Sequence, residues 1–155
     1  MTLKFVSDDG KVTAAKYLKM VKDECIPELK DINVYTGTLT GMTWQQDGAS
    51  VHRTRAVIEM LEKEFGGHIV ALNCRHPLAR IWPPRSPDLN PLDFFLWGYL
   101  KSKIFRNMPT TIDALKARII EEVEAIDPAM IKRACVDSMT KRCEKVIAAN
   151  GGYVE

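Results

Sequence analysis

The sequence predicts an α/β fold, and three consecutive stretches predict it. The run GMTWQQD, residues 41–47, sets β-favouring Thr43 and Trp44 between Gly41 and Gly48, and reads as a short strand whose carboxyl end delivers Asp47. Behind it Val57, Met60, Leu61 and Phe65 form an apolar stripe at helical spacing that Gly66-Gly67 stops, which predicts a helix over about 50–65. The apolar run IVALN, residues 69–73, follows as a buried strand, and strand, helix, strand in that order is the α/β unit.

The remaining elements frame this unit. Residues 2–7, TLKFVS, alternate apolar Leu3 and Phe5 with polar neighbours and run into Asp8-Asp9-Gly10, which predicts a strand and a tight turn. Thr13 is a good N-cap, and Ala14, Leu18, Val21, Cys25, Ile26 and Leu29 recur at helical spacing, so an amphipathic helix is expected over about 13–31, disturbed near Pro27. In WPPRSPDLNPLD, residues 82–93, four prolines at 83, 84, 87 and 91 forbid a continuous helix or a central strand and leave a stiff, shaped loop. Pro91 suits the first turn of the next helix with Asn90 as its N-cap, which puts Asp93 in that first turn ahead of the apolar FFLWGYL. Two further helices are expected, one from Thr110 or Thr111 through Ile112, Leu115, Ile119, Val123 and Ile126, the other from about Pro128 to Ala149, ended by Gly151-Gly152.

Composition narrows the function classes only a little. At 155 residues and 46% hydrophobic, the chain suits one globular domain or part of one. Its 22 basic against 20 acidic residues give a net charge of +2, which neither demands nor excludes a polyanionic partner. Arg53, Arg55, Arg75, Arg80 and Arg85, with His52, His68 and His76, fall near or between the two aspartates and would make either a basic rim or a scattered solvated surface. Cys25, Cys74, Cys135 and Cys143 form no CxxC pair and are expected to be reduced and mostly buried; Cys74 and His76 alone do not make a zinc site. No apolar run approaches the roughly 18 residues that span a bilayer, and MTLKFVSDDGK has no secretory core, so a soluble, intracellular protein with no membrane partner is expected.

Two carboxylates delivered from different elements, one at a strand end and one in the first turn of a helix, suit a divalent-cation site for phosphoryl transfer, since Mg²⁺ takes few carboxylates and completes its shell with water and phosphate. Two aspartates alone are weak evidence, because a helix N-terminus favours Asp whatever its role. The wording of the motifs is more specific. QQDGASVH at 45–52 and WPPRSPDLNPLDFFLWGYLKSKIF at 82–105 resemble the second and third blocks of the mariner superfamily of DDE/D transposases, through Asp47, Ala49 and His52 and through Pro83, Pro84, Ser86, Pro87, Asp88, Leu89, Pro91 and Asp93. The resemblance covers residues 3–107 well and the two C-terminal helices more loosely. It implies an RNase H-like fold, a mixed sheet flanked by helices, here N-terminally truncated and with two extra C-terminal helices. It also implies that Asp47 is the second catalytic acid and Asp93, rather than Asp88, the third, both binding Mg²⁺ or Mn²⁺.

Three departures accompany the resemblance. The family places its first Asp on the opening strand, upstream of TLKFVS, so the first ligand is expected to lie outside this chain, with Asp8 and Asp9 in a variable hairpin. Asp47 and Asp93 stand 46 residues apart, a wider spacing than in the best-known mariner elements, and the extra residues are expected around GGHIVALNCRHPLAR. Ser50 stands where the family often has proline, which would loosen the turn after Asp47 without touching a ligand.

His52 either orients the site or contacts a phosphate, or only bonds to the neighbouring loop. Arg85 offers a phosphate contact or a packing role. Trp82, Phe94, Phe95, Trp97 and Tyr99 could stack on bases, but are read chiefly as core aromatics anchoring the proline loop. The function implied is DNA cleavage and strand transfer in the nucleus, with transposon ends and target DNA as partners and a homodimer as the assembly. A complete enzyme would add an N-terminal helix-turn-helix region, which nothing here resembles. The alternative is an inactive remnant serving as a nucleic-acid-binding or self-associating module with an open sheet edge.

Overall fold

The computed structural model describes residues 4–6, 10–32 and 39–154. The chain packs as two compact units, residues 4–85 and residues 86–154, each with its own apolar cluster. That division is by packing and does not count domains.

In the first unit, helix α1 covers residues 14–32. It begins at Ala14–Met20, where the Thr13 hydroxyl accepts the Lys16 N–H. It passes through a π turn at Val21–Cys25 and continues as Ile26–Ile32. The disturbance expected near Pro27 is this turn. Proline has no N–H to give the preceding turn, and the chain widens just ahead of it so that the Ile26 N–H reaches the Val21 carbonyl. Strand β1 is Trp44–Gln45, α2 is Arg55–Glu64 and β2 is Ile69–Ala71. Helix α2 starts later than the stripe predicts, because residues 50–53 form turns before Thr54 takes the cap position. Its end is as expected: Phe65 closes it, the Gly67 N–H bonds back to the Glu62 carbonyl, and Gly67 has φ +81°. A Cβ at Gly67 would come within 1.8 Å of His76 Nδ1, so only glycine fits there.

A third strand, β3 at Arg80–Ile81, is not in the sequence reading, which takes this stretch as inserted residues. The order is β1-β2-β3, with Trp44 opposite Ile69 and Val70 opposite Arg80, and both pairs are parallel. Parallel neighbours usually need a long crossover. With strands of two or three residues the chain has little length to retrace, so residues 72–79 suffice without a helix. Among the described residues the sheet is parallel throughout, and the antiparallel pairing of a mixed sheet is not seen. The strand expected over 2–7 and the turn at Asp8-Asp9 fall partly outside the described residues; residues 4–6 are irregular and Gly10 has φ +72°. Tyr17, Val21 and Ile26 of α1, Val57, Ile58 and Leu61 of α2, and Phe65, Ile69 and Ala71 form the core.

In the second unit, α3 covers residues 92–104 as a π segment, Leu92–Leu96, and Trp97–Ile104. Helix α4 is Ile112–Glu124, capped by the Thr111 hydroxyl on the Ala114 N–H. Helix α5 covers residues 128–148 as Pro128–Lys132, a π turn Arg133–Asp137 and Ser138–Ala148. Leu96, Leu100 and Ile104 pack with Val123 and Ile126. The expectation of mostly buried thiols fails for Cys135 and Cys143, which are exposed, while Cys25 and Cys74 are half-buried; all four are free. Helix α5 buries no residue fully, so its cysteines lie on a face that the unit leaves open. Among the described residues no helix is long and apolar enough to cross a membrane.

Candidate functional site

Alternation along β1 decides where its polar residues go. Gln45 is exposed, Gln46 is buried at 5% exposure, and Asp47 emerges half-exposed as the strand ends. A buried amide must find partners, and Gln46 finds them on three elements: its Oε1 accepts the Tyr17 hydroxyl of α1 at 3.0 Å and the Trp44 indole N–H at 3.3 Å, and its Nε2 donates to the His52 carbonyl at 2.8 Å. Burial pushes the Tyr17 hydroxyl well above the ordinary tyrosine range, with the Cys25 thiol and the Asp47 carboxylate adding to it, so Tyr17 stays a neutral donor.

This hub shapes the turn that holds Asp47. Asp47 Oδ1 accepts the Ala49 N–H at 3.0 Å and lies 2.6 Å from His52 Nδ1. A carboxylate only accepts, so His52 donates through Nδ1–H. The His52 ring packs on Tyr17, centroids 4.4 Å apart, and the His52 backbone N–H bonds to the Ala49 carbonyl. Of the readings open for His52, its ring contact with Asp47 fits the orienting one and its backbone bonds to Gln46 and Ala49 fit the loop-bonding one. A Cβ on Gly48 would come within 2.7 Å of Leu72 Cδ1, so the backbone passes close to the chain leaving β2. Asp47 Oδ2 meets no described partner.

Asp93 belongs to the second unit and is set by different means. Asn90, 6% exposed, accepts the Leu92 N–H on Oδ1 at 3.2 Å, and its carbonyl accepts the Asp93 and Phe94 N–H groups. Its Nδ2 donates to Asp93 Oδ2 at 2.8 Å, so the expected cap also orients the carboxylate, which is exposed. Asp88 is 3% exposed, and its Oδ2 accepts the Val154 N–H at 3.1 Å. A carboxylate so buried and engaged is a structural anchor. Arg142 of α5 donates to the Asp88 carbonyl at 3.1 Å and lies over the Phe94 ring, 3.9 Å from its centroid, bracketing the stretch that contains Asn90 and Asp93.

Arg85 is exposed with φ +57°. Trp82 is buried and Phe94, Phe95 and Tyr99 half-buried, as core anchors should be, whereas Trp97 is 40% exposed. Among the described residues no group of three or more His, Cys, Asp or Glu is arranged to hold an ion. Asp47 in the first unit and Asp93 in the second each offer hard oxygen of the kind that Mg²⁺ and Mn²⁺ take, with one oxygen held by the protein and one meeting no described partner. Gln46 and Arg142 escape the motif reading: strand parity points Gln46 inward, whereas nothing in the sequence pairs Arg142 with a loop 54 residues away.

The chain is similar to known proteins in sequence and in fold. The Tc1 transposase of Caenorhabditis elegans is 31% identical over 111 residues, 72% of this chain and 36% of that protein. The Tcb2 transposase of Caenorhabditis briggsae is 28% identical over 108 residues, covering 70% and 35%. In fold, the chain matches the catalytic domain of Mos1 mariner transposase with a TM-score of 0.72 at 22% identity, over 94% of this chain and 66% of that one. The chain corresponds to part of a Tc1/mariner-type transposase catalytic domain. Its fold is accordingly RNase H-like. The Mos1 domain with raltegravir and Mg gives a TM-score of 0.71, again at 22% identity. The chain spans about a third of the length of the curated Tc1-type relatives it matches. No protein-family model matches it.

Proposed function

We propose that this chain supplies the second and third carboxylates, Asp47 and Asp93, of a divalent-metal site for transposition-type DNA cleavage and strand transfer. The observation that carries the reading is the Asp47 turn: within QQDGASVH, one carboxylate oxygen is fixed by the Ala49 N–H and His52 Nδ1 while the other is left for a ligand. Asn90 does the same for Asp93 inside SPDLNPLD. Bound Mg²⁺ or Mn²⁺ would activate a water or hydroxyl and stabilise charge on the leaving oxygen. The residues of this chain do the positioning: Asp47 and Asp93 anchor, His52 and Asn90 hold the carboxylates in one orientation, and Arg85 meets a backbone phosphate. Transposon ends and target DNA as substrates, a homodimer as the assembly and a nuclear location belong to the same proposal.

Nicking of supercoiled plasmid by the purified chain with Mg²⁺ or Mn²⁺ tests it. Metal-dependent nicking that disappears in both Asp47→Asn and Asp93→Asn is the expected result. Nicking indifferent to both substitutions, or none at all, would leave a transposase-related fold that binds nucleic acid or itself without this chemistry.

A further inference from the structure

We infer that a pocket of about 300 Å³ lined by Arg53, Arg55, Asn73 and Arg75 is a separate contact point for the DNA backbone, taking a phosphodiester group. The inference rests on the DNA-cleaving reading above and adds residues that neither motif contains. All of the lining belongs to the first unit, where residues 53–55 entering α2 face residues 73–75 leaving β2. Asn73, held at φ +64°, donates Nδ2 to the Arg53 carbonyl at 3.1 Å and clips the two segments together.

The charges of this pocket are unevenly spent. Arg55 is paired with Glu59 at 2.6 Å. Glu62 Oε1 accepts the Arg75 and His76 backbone N–H groups at 2.6 and 2.8 Å, so that carboxylate serves the loop. The Arg53 and Arg75 guanidiniums are exposed, and among the described residues neither forms an ion pair. Three arginines against two glutamates leave the pocket one positive charge, which matches the single negative charge of a phosphodiester. Arginine's planar fork suits two phosphate oxygens. Exposed arginines gain little from one isolated anion in water. Along a polyanion each such contact also releases condensed counterions, which favours DNA over a free phosphate as the occupant.

Salt-dependent binding of duplex DNA, followed by fluorescence anisotropy, tests the pocket. The plot of log K against log salt should flatten by about 1 in Arg53→Gln/Arg75→Gln, the unit expected for the one phosphate contact that is lost. Arg53→Lys/Arg75→Lys should keep most of the slope, and so should Lys132→Gln/Lys141→Gln, which removes two exposed charges from α5. An unchanged slope in the glutamine variant, or an equal loss in the α5 variant, would overturn the assignment while leaving the cleavage reading in place. Displacement of the duplex by millimolar inorganic phosphate at fixed ionic strength would overturn it in favour of a free-anion site. Failure of the wild-type chain to bind any duplex would sink both.

Discussion

The turn after β1 and the loop before α3 each present one carboxylate, but the first turn is organised by one buried side chain, Gln46, and the second loop by an Asn90 cap, prolines and the remote residues Arg142 and Val154. Around Asp47, the side chain of Gln46 gathers Tyr17, Trp44 and His52, and all of its bonds lie within the first unit. Around Asp93, the polar contacts are a cap from Asn90, three residues away, and anchors from Arg142 and Val154, 54 and 66 residues from Asp88. A hub of hydrogen bonds makes geometry sensitive to one side chain. A stiff loop pinned at both ends spreads that sensitivity over several.

Substitutions that break each support should separate the two designs. The largest effect is expected in the packing of the first unit: Phe65→Ala, at a side chain 1% exposed in its core, should cost about 3–5 kcal/mol in denaturant unfolding. Gln46→Leu should cost about 2–4 kcal/mol, because Tyr17, Trp44 and the His52 carbonyl lose their partner together. It should also free the His52 ring, seen as a changed imidazole NMR shift. Arg142→Ala removes one hydrogen bond and one cation–π contact and should cost only about 1–2 kcal/mol, with faster amide exchange at residues 88–94. A cost for Arg142→Ala equal to that of Gln46→Leu would erase the contrast.

The smallest effect concerns pH. Tyr17 is held neutral in the fold, so its contribution is fully present below the ordinary tyrosine pKa and is lost above it as the unfolded chain ionises. Between pH 9 and 10.5 wild type should lose about 0.8 kcal/mol more than Tyr17→Phe, taking an unfolded tyrosine pKa of about 10. Identical pH profiles for the two would mean that the hydroxyl is not excluded from water.

The local signals carried most of the elements. Thr13 and Thr111 cap where their spacing to an apolar stripe says they should, Gly67 stops α2, and Asn90 with Pro91 opens α3. Both aspartates emerge from the ends of the elements that their motifs imply. What the sequence hides depends on partners remote along the chain. Strand β3 is two exposed residues with no room for alternation, and only its register with Val70 and Ala71 defines it. The late start of α2 reflects turns at 50–53 that the hub organises, and the exposure of Cys135 and Cys143 reflects a face of α5 that periodicity cannot tell from a core-facing one. Asp88 and Asp93 look alike as letters. Burial and the Val154 N–H distinguish them.

The most direct test of the central claim is Mn²⁺ binding to the purified chain, measured by water-proton relaxation on wild type, Asp47→Asn and Asp93→Asn, with circular dichroism confirming that each is folded. Binding that weakens in both variants is the expected result. Mn²⁺ held equally well by wild type and by both variants would contradict the assignment of these two carboxylates as metal ligands.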